Sequence, residues 1–72
     1  MKLDSYADLV AAQQMGRTVM VCNLDDESLT GPGIITAVDA DTVTILEYGV
    51  GVGVVHFIRT NVQIYQLDEP VN

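Results

Sequence analysis

The fold of this chain is decided by residues 33–46, which read GIITAVDADTVTIL. A glycine opens an aliphatic and β-branched run, Asp39 closes it, and a second β-branched run begins at Thr42. Such residues favour strands, and the short polar segment between the two runs indicates a tight turn. In a chain of only 72 residues, this hairpin predicts a small, strongly bent β domain.

The sequence around the hairpin predicts one helix and three further strands. Residues 5–15 form the helix, because Ser5 and Asp8 have capping-box spacing and Gly16 suits the position that ends a helix. The predicted strands cover residues 17–24, 33–39, 42–48, 54–58 and 62–67, and residues 68–72 form an acidic tail. Residues 1–72 are therefore predicted to be one mainly β domain, a helix followed by a strongly bent, five-stranded antiparallel barrel of SH3-like size.

Size and composition indicate how so small a domain is stabilised. A chain of this length buries only about 60% of its unfolded surface. Cys22 is the single cysteine, which excludes an internal disulfide, and one Cys with one His is too few for zinc. No metal or other cofactor is predicted. Because 49% of the residues are hydrophobic, oligomerisation is the expected source of further stability. Cys22 alternates with Met20 and Leu24, which predicts a small buried side chain.

The charge balance restricts the possible partners. Three basic residues stand against ten acidic ones, a formal net charge of −7. This balance argues against non-specific binding to duplex DNA. The apolar runs are too short to cross a membrane, and the first residues lack the apolar core of a signal peptide. Together with the single cysteine, these features predict a cytoplasmic protein.

Three further segments carry candidate chemistry. The run GVGVG at residues 49–53 predicts close approach of another backbone or a sharp bend, since the Lys-Ser/Thr of a phosphate loop is missing. The acidic turn at residues 25–28 is a solvated turn or a cation site. His56 lies in an apolar strand, which favours a packed or interface role. No Ser or Cys is recognisably placed beside it, so no catalytic residue and no enzyme activity are predicted.

The connection at residues 59–61 bears on assembly. It joins the fourth and fifth predicted strands with only three residues. A turn this short before the last strand suggests an open seam, where a neighbouring subunit can add strand to strand. The strands at 54–58 and 62–67 are therefore the predicted edges of a homo-oligomer.

Two segments resemble the signatures of the Sm and Sm-like family, which includes bacterial Hfq. Gly33, Ile35, Val38 and Asp39 resemble the first signature, and residues 57–62 (FIRTNV) resemble the second. The order of one helix and five strands also resembles the family, and the match covers roughly residues 17–67. The chain is most similar to divergent phage or environmental members.

The resemblance implies a ring in which the fourth strand of one subunit pairs with the fifth strand of the next. It also implies that pore-lining turns bind single-stranded, U- or A-rich RNA, with a role in RNA processing or regulation. Carried over by position, the RNA-binding residues are Asp39, Asp41 and Thr42 in one turn and Arg59, Thr60 and Asn61 in the other.

The chain also departs from the family pattern. Thr42 and Val43 stand where the family has a hydrophobic or aromatic residue followed by asparagine, and Thr60 replaces the glycine of the Arg-Gly pair. Two interpretations of Arg59 stay open: it binds a ligand, or it forms a salt bridge to Asp39 or Asp41. Asp39 is expected to stabilise its turn as an acceptor.

Two further alternatives remain. Asn61 either hydrogen-bonds a base edge or shapes its turn in the left-handed conformation. The alternative function is a structural or protein-interaction module on the same small barrel, without nucleic acid.

Overall fold

The computed structural model describes residues 1–49 and 51–67, which form one helix, a single 3₁₀ turn and six strands. The elements are β1 (Lys2–Leu3), α1 (Tyr6–Met15), β2 (Thr18–Asn23), β3 (Leu29–Val38), β4 (Thr42–Glu47), β5 (Gly53–Ile58), the 3₁₀ helix Arg59–Asn61 and β6 (Val62–Gln66). The prediction of a mainly β fold with an N-terminal helix is confirmed. The predicted acidic tail at 68–72 lies outside the described residues, as does Val50 of the glycine run.

The six strands form one antiparallel sheet in the order β1-β6-β2-β3-β4-β5. Within the described residues the sheet is not closed, because no strand pairing joins β5 to β6 or β1. The 3₁₀ helix nevertheless connects β5 directly to β6, although three other strands lie between them in the sheet. A connection this short requires a strongly curved sheet whose two ends approach each other.

The sequence prediction of five strands misses β1. Residues 2 and 3 pair with Tyr65 and Ile64 on the outer side of β6. The prediction that residues 62–67 form a free edge strand is therefore wrong, because β6 lies between β1 and β2. The fourth predicted strand, now β5, is at an edge as expected.

Helix α1 is capped as the sequence predicts. The backbone N–H of Asp8 donates to Ser5 Oγ at 3.1 Å, and the Ser5 N–H donates to Asp8 Oδ2 at 3.4 Å. Gly16 ends the helix with φ of 64°, in the left-handed region that favours glycine. The helix packs on β3, where Gln13 Nε2 donates to the carbonyl oxygen of Thr36 at 2.9 Å.

Strand β3 begins at Leu29 rather than at Gly33, so the four residues that precede the predicted strand belong to it. Val19 pairs with Gly33 and Val21 with Thr30, which leaves two residues of β3 opposite one residue of β2. This is a β-bulge, and Pro32 lies in it. A bulge accommodates proline because the hydrogen-bond ladder is already interrupted there.

The core is formed by residues of the helix together with buried residues of the strands. Alternate residues of β2 and β4 are buried, as period-2 patterning predicts. The buried hydrophobic residues are Leu3, Leu9, Ala12, Val19, Val21, Ile35, Val43, Ile45, Val62 and Ile64. Cys22 is only half-buried, so the prediction of a buried thiol is wrong, because it lies on the face of β2 opposite Val19 and Val21.

Candidate functional site

The two predicted site turns lie side by side, and Arg59 joins them. Its Nη1 donates to the carbonyl oxygens of Asp39 at 3.2 Å and Ala40 at 2.9 Å. Its backbone N–H donates to the carbonyl oxygen of Asp41 at 2.8 Å. The predicted salt bridge from Arg59 to Asp39 or Asp41 is wrong among the described residues, because the guanidinium is bound by main-chain carbonyl groups instead.

Arg59 also contacts the helix. Its guanidinium carbon lies 5.5 Å from the centre of the Tyr6 ring, within the range of a cation–π interaction. Tyr6 is 50% exposed, so part of its ring is open to solvent. The sequence places Tyr6 at the start of α1 but gives no signal of this contact, since only the packing of the helix end against the 3₁₀ turn creates it.

Hydrogen bonding leaves part of the guanidinium free. Among the described residues, Nη2 and Nε of Arg59 have no protein hydrogen-bond partner, and neither atom is a buried unpaired donor. These N–H groups can therefore donate to an acceptor from solution. An arginine whose remaining N–H groups and aromatic partner are fixed in place suits a planar or phosphate-bearing ligand.

An open groove of about 410 Å³ lies beside Arg59. We call it the Arg59 groove; it is lined by Lys2, Leu3, Asp4, Leu9, Leu24, Ala40, Arg59, Thr60, Val62, Gln63 and Ile64. Two of the three basic residues of the chain line it. Lys2 Nζ lies 3.4 Å from Asp4 Oδ1, and both side chains are exposed. The groove thus carries two positive charges and one negative charge on a chain of formal net charge −7.

The remaining predicted site residues have separate roles. Thr42 Oγ1 donates to Asp39 Oδ2 at 3.3 Å, and the Asp39 N–H donates to the Thr42 carbonyl at 2.8 Å, so Asp39 stabilises its turn as expected. Thr60 lines the groove, whereas Asp39, Asp41 and Thr42 do not.

Asn61 is exposed, and its carbonyl oxygen accepts from the Leu24 N–H at 2.9 Å. The left-handed interpretation of Asn61 is wrong, because Glu27 is the one non-glycine residue with positive φ in the described part of the chain.

The acidic turn is held by its own hydrogen bonds. Asp26 Oδ1 accepts from Ser28 Oγ at 2.6 Å and from the Ser28 N–H at 3.0 Å. These bonds stabilise the carboxylate and hold the pKa of Asp26 below its usual value. In the described part of the chain, no group of three or more His, Cys, Asp or Glu residues is arranged to hold a metal ion.

Two other sequence interpretations need correction. His56 is exposed, and its Nδ1 lies 2.8 Å from Thr44 Oγ1, so it is not packed in the core. A Cβ atom added at Gly49 would lie 2.8 Å from the Gly31 carbonyl oxygen, which confirms close backbone approach there. Gly51 and Gly53 have no such neighbour within 4 Å, so close approach is wrong for them. Gly51 instead lies at a bend, the other predicted role of the run.

Comparison of the chain with protein-family models, curated proteins and solved structures found no match. A search of the described residues for a helix with the length and apolar character needed to cross a bilayer found none.

Proposed function

We propose that this chain is a divergent Sm-like subunit that binds single-stranded nucleic acid, with RNA as the expected ligand, beside the Arg59 groove. The observation that carries the proposal is the position of Arg59, which links two turns and a helix while keeping part of its guanidinium free. Binding, rather than catalysis, is the proposed activity.

Arg59 and Tyr6 would recognise different parts of the nucleic acid. The free N–H groups of Arg59 donate to a phosphate or to a base edge. Tyr6 offers the aromatic face that the turn at Thr42 and Val43 lacks, and bases of any identity can stack on such a face. Thr60 and Gln63 add hydrogen-bonding groups along the groove.

Assembly into a ring is part of the same proposal. In a homo-oligomer each subunit contributes one Arg59, so symmetry multiplies a single arginine into a ring of positive charge. An acidic subunit can then bind a polyanion locally, because close charges act within a Debye length of about 8 Å at physiological ionic strength. The proposed contact joins β5 of one subunit to the outer side of β6 of the next, which requires that β1 first leave β6.

Filter binding with oligo(U) and oligo(A) at low salt tests this proposal. We expect the wild-type chain to bind and Arg59→Ala to bind about tenfold or more weakly, because it loses both the charge and the fixed N–H groups. Arg59→Lys is the matched control, since it keeps the charge but loses the planar fork. Circular dichroism shows whether each variant is folded. No wild-type binding at high micromolar concentration would sink the proposal.

A protein-interaction module is the second candidate, and the surface of β5 favours it. Val54 and Ile58 are 57% and 54% exposed on an edge strand. The ratio of absorbance at 260 and 280 nm after purification from cells discriminates the two candidates. The chain has no Trp and only three Tyr, so even a small amount of bound nucleic acid raises this ratio strongly.

A further inference from the structure

The outer side of β6 is already occupied. Met1 and Gln66 exchange two backbone hydrogen bonds, from Met1 N to Gln66 O at 3.0 Å and from Gln66 N to Met1 O at 2.7 Å. Lys2 and Leu3 pair with Tyr65 and Ile64, and Leu3 is only 6% exposed. A neighbouring strand that pairs with β6 needs the same backbone groups.

The outer side of β5 is open. Among residues 1–49 and 51–67, β5 pairs with β4 alone, and the sequence of residues 49–58 contains no Asp, Glu, Lys or Arg. Natural edge strands are commonly protected by Lys, Pro or a bulge, and β5 has no Lys or Pro. On a subunit of charge −7, this uncharged edge is where a second copy meets least repulsion.

We infer that β1 and the β5 strand of a second copy compete for the outer edge of β6, so that release of residues 1–3 permits assembly. The inference rests on the proposed ring. In the isolated subunit, residues 1–3 would pair with the edge of β6 that forms the contact in the ring. The isolated subunit then does not expose two unpaired strand edges at the same time.

The lengths of the strands favour such an exchange. β1 has two residues, whereas β5 has six and would cover its own exposed Val54 and Ile58 on pairing. β1 has no residue opposite Val62 or Gln63. An incoming strand can therefore begin to pair at that end of β6 before residues 1–3 leave.

A disulfide between β1 and β6 tests the competition. Because Met1 and Gln66 are a hydrogen-bonded pair, the next pair, Lys2 with Tyr65, is a non-hydrogen-bonded one with Cα atoms about 4.5 Å apart. This separation suits a disulfide. The variant is Lys2→Cys with Tyr65→Cys in a Cys22→Ala background, which removes the one native thiol.

Light scattering over a range of concentrations compares the oxidised and reduced forms of this variant with the Cys22→Ala parent. We expect the oxidised form to stay monomeric and the reduced form to assemble like the parent. The two forms are the same polypeptide, so the loss of the Tyr65 side chain is common to both. Circular dichroism of the oxidised form checks that it is folded.

A second variant acts in the opposite direction. Leu3→Asp places a charge in a buried position and favours release of β1, so half-assembly should occur at about tenfold lower concentration or less. Lys2→Ala is its control on the same segment. Assembly by the oxidised variant would overturn the competition while leaving the ring intact. If the parent is monomeric at every concentration, both the proposed ring and this inference are wrong.

Discussion

At the scale of single residues, Arg59 shows which part of a site a sequence can predict. The spacing of the predicted strands places one turn at Arg59 and another at Asp39, and the two turns lie side by side in the structure. The spacing does not predict which acceptor atoms Arg59 binds. Carbonyl oxygens and carboxylates both accept from a guanidinium, and the choice depends on backbone directions within a turn that no residue pattern specifies.

Tyr6 is the residue that sequence reasoning missed, and it carries the prediction at this scale. Tyr6→Ala should weaken oligonucleotide binding by the equivalent of about 1–3 kcal/mol, the usual contribution of one stacked base. Tyr6→Phe keeps the ring and should bind like the wild type. Quenching of 2-aminopurine placed in the oligonucleotide measures both affinity and stacking.

The control for the Tyr6 variants is Tyr48→Phe. The hydroxyl oxygen of Tyr48 lies 3.0 Å from Thr18 Oγ1, and Tyr48 does not line the Arg59 groove. Equal affinity of Tyr6→Ala and wild type, with both folded, would exclude a base stacked on Tyr6.

At the scale of elements, the strand limits were predictable where side chains alternate and unpredictable where pairing is irregular. β4 and β6 were predicted to within one residue because their apolar residues recur with period 2. β3 begins four residues earlier than predicted because Pro32 suits either the start of a strand or a bulge, and the structure has the bulge. β1 was missed because two residues are too few to show periodicity.

Gly33, which opens the stretch that decides the fold, carries a prediction about β3. A Cβ atom there would lie 2.6 Å from Ile45 Cγ2 and 2.7 Å from the Leu46 carbonyl oxygen. Gly33→Ala should therefore lower the free energy of unfolding by about 1–3 kcal/mol, because the strand-to-strand contact has to widen. Urea denaturation followed by circular dichroism measures the change.

Gly51→Ala is the matched control for Gly33→Ala. A Cβ atom at Gly51 has no neighbour within 4 Å, and the residue is exposed. We expect this variant to stay within about 0.5 kcal/mol of the wild type, as surface substitutions usually do. If both variants unfold at the same urea concentration, the close packing of β3 on β4 at Gly33 does not affect the free energy of unfolding, and the prediction is wrong.

At the scale of the whole molecule, charge and edge strands act in opposite directions. The charge of −7 makes copies repel, while the uncharged β5 edge favours pairing. Composition alone predicts the repulsion. It cannot predict which edge is free, because occupation of β6 by β1 is a tertiary contact between residues more than sixty positions apart in the chain.

This opposition predicts two salt dependences of opposite sign. Raising NaCl from 0.1 to 1 M shortens the Debye length from about 10 to 3 Å and weakens repulsion between two copies of this acidic chain, so self-association should strengthen. Oligonucleotide binding should weaken over the same range, because it neutralises phosphates and releases counterions. Light scattering and filter binding on the same samples measure the two effects.

A variant with fewer acidic groups separates repulsion from other salt effects. Asp25→Asn with Glu27→Gln changes the net charge from −7 to −5, since two carboxylates are removed from an exposed turn outside the Arg59 groove. Its self-association should depend less steeply on salt than that of the wild type. Association that weakens as salt rises would instead mean that charge pairs, rather than the uncharged β5 edge, join two copies of the chain.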